Sequence, residues 1–466
     1  MSDKETVIFV EELCVMKMTK SNDNNSNIAN NSEPQKVIIS ADESSKIAGI
    51  AELVKAEQGT KKEPVQTGKQ KIQKVPMVLR SNKNFEKFYE PRAIAIGPIH
   101  HKNKNLQLAQ QYKGGLAAKF INESGKTTEE VYMKIKAEMK ALKFLFDPEV
   151  IKDYKEEELS WMLFLDGCST LQFMHGVVHN KMIEYKIKSD QVAFAQQDLF
   201  LLENQIPLKV LNLLLDSSEA KDELKNSIKK FLQMNVMTPE YMWNSTNLND
   251  IDIDNEDSIH LLELLQKCAV FPPPEKEKWS KKLAKYLPNG LIKRKHIGQQ
   301  SFRNVQELKA AGVNLKTSEN GSLRDIDFTS LGFIGWLELP PLVVDDSTGP
   351  KLLNMIAYEM CPDNFSTDYE VSTYVSLLDS LIDHTNDVKD LRSAKILYNL
   401  LGSDEEVAQL FNEIATDLVR CPSLYNKVIG KIQRHYDNRV VTWMAEAYNT
   451  HFSSPWPGPS WPSSAL

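Results

Sequence analysis

Apolar residues recur at helical spacing through most of the chain. Thr127 and Glu130 have the spacing of a capping box, and apolar side chains follow every three or four positions through Phe146. The same periodicity predicts five more helices. Three cover about 156–180, 190–204 and 423–450, a fourth has Pro207 in its first turn, and a fifth runs along Tyr374–Ile382. The pattern therefore predicts a mainly α, multi-helix fold.

Two further helices are predicted around Gly402. The apolar residues of Ile396–Leu401 have helical spacing and precede a glycine, the residue that most often follows a helix C-terminus. Ser403 and Glu406 then have the spacing of a second capping box, ahead of another apolar stripe. We therefore predict that one helix ends at Gly402 and that the next begins directly after it.

The stretch 322–345 departs from the helical pattern. Ser322–Phe328 alternates between polar and apolar residues, and two short apolar runs, Phe333–Leu339 and Leu342–Val344, are separated by two prolines. Short apolar runs of this kind, bounded by turn residues, are typical of strands. We expect a small antiparallel β element of two to four strands that packs on the helices.

Composition divides the chain into three parts. Residues 1–74 are rich in Asn, Ser, Lys and Glu, and they offer too few apolar groups to offset the entropy of ordering. We expect a mostly disordered polar tail there and a single large domain over 75–456, with a Pro-rich tail at 457–466. The large domain is alternatively two packed lobes joined by a basic linker at 272–300.

Charge and motif content exclude several classes of protein. The 466 residues include 63 acidic and 56 basic ones, so the net charge is −7 and a globally basic nucleic-acid binder is excluded. No P-loop, GxGxxG, GxSxG or HExxH motif occurs, and we expect no cofactor. The five cysteines are widely spaced, which favours a reducing compartment. Without a secretory signal or an 18-residue apolar run, the chain is expected in the cytoplasm or peripherally at a membrane.

A strongly basic segment lies within 276–295. It holds eight Lys or Arg residues against the single acid Glu277. Such a stretch binds anionic lipid, serves nuclear import or nucleic-acid binding, or is a solvated linker. We expect no nucleic-acid partner and retain an anionic membrane surface as a candidate partner. The candidate residues are Lys281, Lys282, Lys285, Lys293, Arg294 and Lys295.

Two other clusters have the spacing of metal ligands. His175 and His179 lie one helical turn apart, but the sequence offers no evident third ligand, so structural histidines are favoured. Asp250-x-Asp252-x-Asp254 resembles the opening of a calcium loop. That loop needs Gly and Glu at positions occupied here by Asn and Leu, which favours an acidic surface loop. We therefore predict no metal.

A series of motifs resembles a known plant family. They are VPMVLR at 75–80, YEPRAIAIGPIHH at 89–101, LDGC at 165–168, DLFLLENQIP at 198–207 and HLL at 260–262. Their order resembles that of the plant domain-of-unknown-function 247 family, also called UPF0481 proteins, over about 75–456. DLFLLENQIP is the most specific of these motifs. Family members often continue into a C-terminal membrane-anchoring helix, and the four prolines of the stretch 455–466 are incompatible with a helix there.

The resemblance implies a protein without established enzymatic activity. We therefore expect a non-enzymatic recognition or signalling protein that acts through contacts with a protein partner, and we assign no catalytic residue. The family-signature residues are expected to be structural. They are Gly97, Pro98, His100, His101, Asp166, Gly167, Asp198, Glu203, Asn204, Gln205, Pro207 and His260.

An enzyme of unrecognised type is the alternative. Its acid–base groups would come from a cleft formed by His, Asp and Glu side chains among the signature residues. The candidates are His100, His101, Asp166, Glu203 and His260. This hypothesis requires those side chains to converge around an open pocket.

Overall fold

The computed structural model describes residues 70–438, apart from 82, 244–252, 254–257, 274–303, 366, 417 and 422. All described residues belong to one unit of the chain, Thr67–Leu466. The expected N-terminal tail lies outside the described residues except for its last five positions. The Pro-rich tail, nearly all of the basic linker and the second half of the predicted helix 423–450 lie outside them as well, so the division into domains stays a prediction.

The described residues form a mainly α fold, as the periodicity predicts. They contain seventeen α-helices. These are α1 Met77–Arg80, α2 Phe85–Tyr89, α3 Gln107–Ser124, α4 Thr128–Ala137, α5 Met139–Lys143, α6 Pro148–Ile151, α7 Glu156–Val178, α8 Ser189–Asp198, α9 Leu208–Leu215, α10 Lys221–Asn235, α11 Leu261–Ala269, α12 Val305–Ala310, α13 Thr348–Glu359, α14 Glu370–Leu381, α15 Thr385–Ser393, α16 Asp404–Ile414 and α17 Asn426–Tyr436.

The capping signals locate helix starts well. Thr127 accepts the N–H of Glu130 at 3.2 Å and Glu130 accepts the N–H of Thr127 at 2.8 Å, so the first capping box is confirmed. The stripe that follows it is divided between α4 and α5. At the second box, Ser403 Oγ accepts the N–H of Glu406 at 3.1 Å, as predicted. The Glu406 carboxylate accepts the N–H of Gly402 and not that of Ser403, so the reciprocal bond is displaced by one residue.

Helix α7 is the central element of the helical part. It is 23 residues long, is buried through most of its length, and packs against α3, α4, α9 and α10. Gly167 allows α9 to approach α7 closely. A Cβ atom there would lie 2.6 Å from Leu214 Cδ1 and 2.9 Å from Val210 Cγ1, both on α9. The glycine of the LDGC motif therefore serves helix packing.

The β element is a mixed three-stranded sheet. Strands β1 Val313–Thr317, β2 Asp327–Leu331 and β3 Ile334–Leu339 lie in the order β1–β3–β2. The hairpin β2–β3 is antiparallel, as expected, and turns at Gly332 with φ +63°. The pairing of β1 with β3 is parallel. Local alternation specifies which residues form strands, but it does not specify the direction of a partner strand.

The predicted helix through Ile396–Leu401 is wrong. Helix α15 ends at Ser393, and Lys395 adopts a left-handed φ of +57°, which stops a helix. Leu397–Asn399 is instead strand β5, which pairs in parallel with β4, Leu342–Val344. The apolar spacing suits both structures, and a partner strand far away in the sequence decides between them.

Candidate functional site

The most specific motif, DLFLLENQIP, is a buried loop that we call the signature loop, residues 198–207. It begins at the last residue of α8, so the predicted helix 190–204 ends early. Pro207 is the N-cap of α9, one position before the predicted first turn. Each polar side chain of the loop is at most 3% exposed. Buried polar groups need hydrogen-bond partners, and the loop supplies them to its neighbours.

Asp198 holds the preceding YEPRAI segment. Its carboxylate accepts the backbone N–H groups of Arg92 at 3.0 Å, Ala93 at 2.6 Å and Ile94 at 2.9 Å. Burial raises the pKa of Asp198, and these backbone donors oppose that rise because they stabilise the ionised form. The carboxylate thus serves as an anchor for three successive backbone amides.

Asn204 and Gln205 bind the backbone of the neighbouring segments and of the signature loop itself. Asn204 accepts the N–H of Ile96 at 2.7 Å and donates to the carbonyls of Ile94 and Asp198 at 3.0 and 2.9 Å. The Gln205 amide donates to two loop carbonyls at 2.8 Å, those of Leu199 and Leu201. Its oxygen accepts the N–H of Leu262 in α11 at 3.3 Å. Both amides therefore cross-link the backbone.

Gly97 and Asp166 lie on the other side of this network. The N–H of Gly97 donates to Asp166 Oδ2 at 2.8 Å, and Lys113 Nζ lies 2.5 Å from Asp166 Oδ1. The ammonium group of Lys113 also donates to the carbonyl of Ala95. Lys113 is fully buried. Nothing in the sequence points to it, because a lysine in helix α3 that lacks a motif around it gives no sign of burial.

Glu203 joins the signature loop to the VPMVLR motif. Its Oε1 atom accepts the N–H of Val75 at 2.7 Å and pairs with the Arg80 guanidinium. The Nε2 atom of His100 lies 3.5 Å from Oε2. Burial raises the pKa of Glu203, but His100, the Val75 N–H and the Arg80 charge together bring it below its usual value. Glu203 is therefore a stable anion that joins the signature loop to two other segments of the chain, VPMVLR and the segment that holds His100.

The remaining signature residues also have structural partners. The carbonyl of Pro98 accepts the Tyr154 hydroxyl at 2.7 Å, and the ring of His101 packs edge-on to Tyr154. Burial lowers the pKa of His101. His260 is the N-cap of α11, where its Nδ1 atom accepts the N–H of Glu263 at 3.1 Å.

The five candidate acid–base groups do not converge as the enzyme hypothesis requires. His100 Nε2 and Glu203 Oε2 lie 3.5 Å apart, and the Asp166 charge acts on His101, but Lys113 and Gly97 bind Asp166 and His260 caps its own helix. A cavity of about 250 Å³ exists among the described residues, but none of the five lines it. The described geometry therefore offers no support for the predicted cleft.

Two groups of candidate residues lie outside the described residues. They are the anionic-partner patch, from Lys281 to Lys295, and the acidic series Asp250, Asp252 and Asp254. Contact with an anionic surface stays a prediction. Within the described ranges of 70–438, no helix has both the length and the apolar composition needed to cross a lipid bilayer.

Burial of His260 predicts a pH-dependent stability. Its pKa falls to about 4 in the folded protein because of burial, whereas an unfolded histidine titrates near 6.5. Between these values the unfolded chain binds the extra proton, so the free energy of unfolding falls as the pH falls. We expect wild type to lose about 2 kcal/mol more than His260→Asn between pH 7 and pH 5.

Urea unfolding at pH 7, 6 and 5 measures this difference. Asparagine is a suitable control because it can still accept the capping N–H but does not titrate. Equal pH slopes for the two proteins would show that His260 does not stay neutral in the fold.

Comparison with known proteins places the chain in a family. The family model for a plant protein of unknown function, DUF247, matches residues 72–464. The UPF0481 protein At3g47200 of Arabidopsis thaliana is 27% identical over 397 residues, covering 79% of this chain and 78% of that protein. The putative UPF0481 protein At3g02645 of the same plant is 21% identical over 430 residues, covering 75% and 79%. No solved structure matches the chain. Because the family model covers most of its length, the chain belongs to the DUF247 family of plant proteins of unknown function.

Proposed function

We propose that this protein is a non-enzymatic recognition or signalling protein that acts through protein–protein contacts. The observation that carries the proposal is a surface formed by the exposed side chains of Tyr241 and Leu400 and the half-buried Tyr398, which we call the tyrosine patch. Tyr241 is 63% exposed and Leu400 is 69% exposed. Tyrosine is enriched in protein interfaces, because its ring offers a large contact area and its hydroxyl a polar group.

The two tyrosines support each other. Their hydroxyl oxygens are 2.9 Å apart, and their ring centroids are separated by 6.2 Å. Partial burial, and after it the neighbouring Tyr398 hydroxyl, raises the pKa of Tyr241 to about 12, so the Tyr241 hydroxyl stays protonated at neutral pH. Tyr398 lies in β5, and Leu400 lies one residue beyond it, where its N–H bonds to the carbonyl of Val344 in β4 at 2.9 Å. The patch is thus held in place before any partner binds.

The internal network supports the same proposal. Asp198, Glu203, Asn204 and Gln205 use their hydrogen-bonding capacity on the backbone and on buried partners, which leaves them little capacity for a substrate. Groups committed in this way make a rigid scaffold. A rigid scaffold with an aromatic surface is suited to recognition.

Cross-linking in plant cells tests the proposal. We expect the tagged full chain to recover at least one protein that the variant Tyr241→Ser/Tyr398→Ser/Leu400→Ser recovers at least tenfold less, because aromatic anchors carry much of an interface's affinity. Phe144→Ser removes an apolar side chain that is equally exposed, and it should recover that protein at the wild-type level. If the triple variant melts like wild type and retains every cross-linked protein, the tyrosine patch is not the recognition surface.

A further inference from the structure

The cavity of about 250 Å³ lies apart from the signature loop. Helices α3, α7 and α10 and the turn after α7 surround it. Its lining combines apolar and ionisable side chains: Phe120, Glu123, Gln172, His175, Lys181, Ser218, Ala220, Glu223 and Leu224. The histidine of this lining is the first of the two whose spacing suggested a metal site.

Hydrogen bonds determine which nitrogen of His175 faces the cavity. Ser227 Oγ donates to the carbonyl of Glu223 at 3.0 Å, so its lone pairs accept the Nδ1–H of His175 at 3.2 Å. Lys181 Nζ lies 3.1 Å from Nε2 and can only donate. The Nε2 atom therefore carries the lone pair, and a cation already lies against it. In metal-binding histidines, the ring nitrogen that does not bind the metal usually donates its N–H to a fixed acceptor, as Nδ1 of His175 does to Ser227.

The fold supplies the third ligand that the sequence does not reveal. Glu223, from α10, places Oε1 3.9 Å from His175 Nε2. One ligand atom each from His175, His179 and Glu223 lie within 4.8 Å of one another. Ligands of a tetrahedral zinc ion are separated by roughly 3.4 Å, because each lies about 2.0–2.1 Å from the metal. Since His179 and Glu223 are exposed, small side-chain rotations can close this difference.

The turn that follows α7 explains the position of Lys181. Asn180 adopts φ +55°, a conformation that asparagine tolerates, and the N–H of Lys181 bonds to the carbonyl of Gly176 at 2.8 Å. The chain thereby folds back over the end of the helix. The ammonium group of Lys181 consequently lies where a metal ion bound to His175 would be.

We propose that His175, His179 and Glu223 form a binding site for a divalent transition-metal ion of the zinc class, with Lys181 as an internal competitor. Two imidazoles and one carboxylate suit Zn²⁺ and its neighbours, and three protein ligands leave a coordination position open. His175 and Glu223 line the cavity, so the open position faces it. A metal ion displaces the ammonium group from Nε2, and the lysine side chain then moves to solvent.

Zn²⁺ titration of the full chain, with a competing chelator, tests this site. We expect one ion per chain for wild type and at least tenfold tighter binding for Lys181→Met, which removes the competing charge but keeps the chain length. His179→Gln and Glu223→Gln should each weaken binding at least tenfold. Both replace exposed side chains, so the fold should persist, and thermal melting verifies that it does.

Two control variants isolate the site from general binding to the surface. Lys230→Met removes an exposed lysine from α10, and His384→Gln removes an exposed histidine far away in the sequence. Both should bind Zn²⁺ as wild type does. The proposal is overturned if Lys181→Met binds no more tightly than wild type. It is equally overturned if the His179 and Glu223 variants keep wild-type affinity, because the ion then binds elsewhere.

Discussion

Replacing Lys113 by methionine should lower the free energy of unfolding by about 3–5 kcal/mol, because it leaves the buried Asp166 carboxylate without its cation. Lys113 and Asp166 are at most 1% exposed, and their charged atoms are 2.5 Å apart. After the substitution only the N–H of Gly97 still donates to Asp166. Methionine nearly fills the volume, so the loss reports the missing charge and its hydrogen bonds rather than a cavity.

Two comparisons test this reasoning by urea unfolding at neutral pH. Lys119→Met removes a partly exposed lysine from the same helix, and it should cost less than about 1 kcal/mol. The double variant Lys113→Met/Asp166→Leu should be more stable than Lys113→Met alone, because no unpaired charge remains buried. If the double variant is the less stable one, the cost does not come from an orphaned carboxylate.

Gly97→Ala should be the most destabilising single-methyl change in the signature motifs. Gly97 has φ +74°, and a Cβ atom there would lie 2.2 Å from the carbonyl oxygen of Gln205. That oxygen belongs to the backbone of the signature loop, so it cannot move away as a flexible side chain would. The left-handed conformation costs an alanine about 1–2 kcal/mol, and the clash adds to this. We expect the free energy of unfolding to fall by more than about 4 kcal/mol. A change of this size is enough to unfold a marginally stable domain.

Gly332→Ala separates the two contributions. Gly332 also has a left-handed φ, of +63°, but no heavy atom lies within 4 Å of its Cβ position. The free energy of unfolding of Gly332→Ala should therefore fall only by the conformational cost, about 1–2 kcal/mol. Thermal melting of both variants measures the difference, and equal losses would show that the contact with Gln205 relaxes at no cost.

Together these two changes test the role of the signature residues. If both variants behave as expected, the residues of the family motifs are needed for folding. Lys113, Gly97 and Asp166 form one side of the internal network, and the signature loop forms the other. The proposed recognition surface, the tyrosine patch, would then rest on a scaffold that these residues stabilise.

Local patterns in the sequence are sufficient to predict the helical character of the protein and several helix starts. Thr127 with Glu130, and Ser403 before α16, act within one turn of the chain, so their spacing is sufficient to predict them. The motifs also identified Asp198, Glu203, Asn204 and Gln205 as important residues before any contact was known.

The pairings between distant residues depend on how the helices and strands pack. Lys113 meets Asp166 across 53 positions, and Glu223 meets His175 across 48. Strand β5 exists because β4 offers it a parallel partner, although the same apolar spacing would suit a helix. Hydrophobic periodicity indicates which side chains of a single helix or strand are buried. The partner that a buried charge or a strand edge requires is chosen by how the elements pack, and no local pattern carries that information.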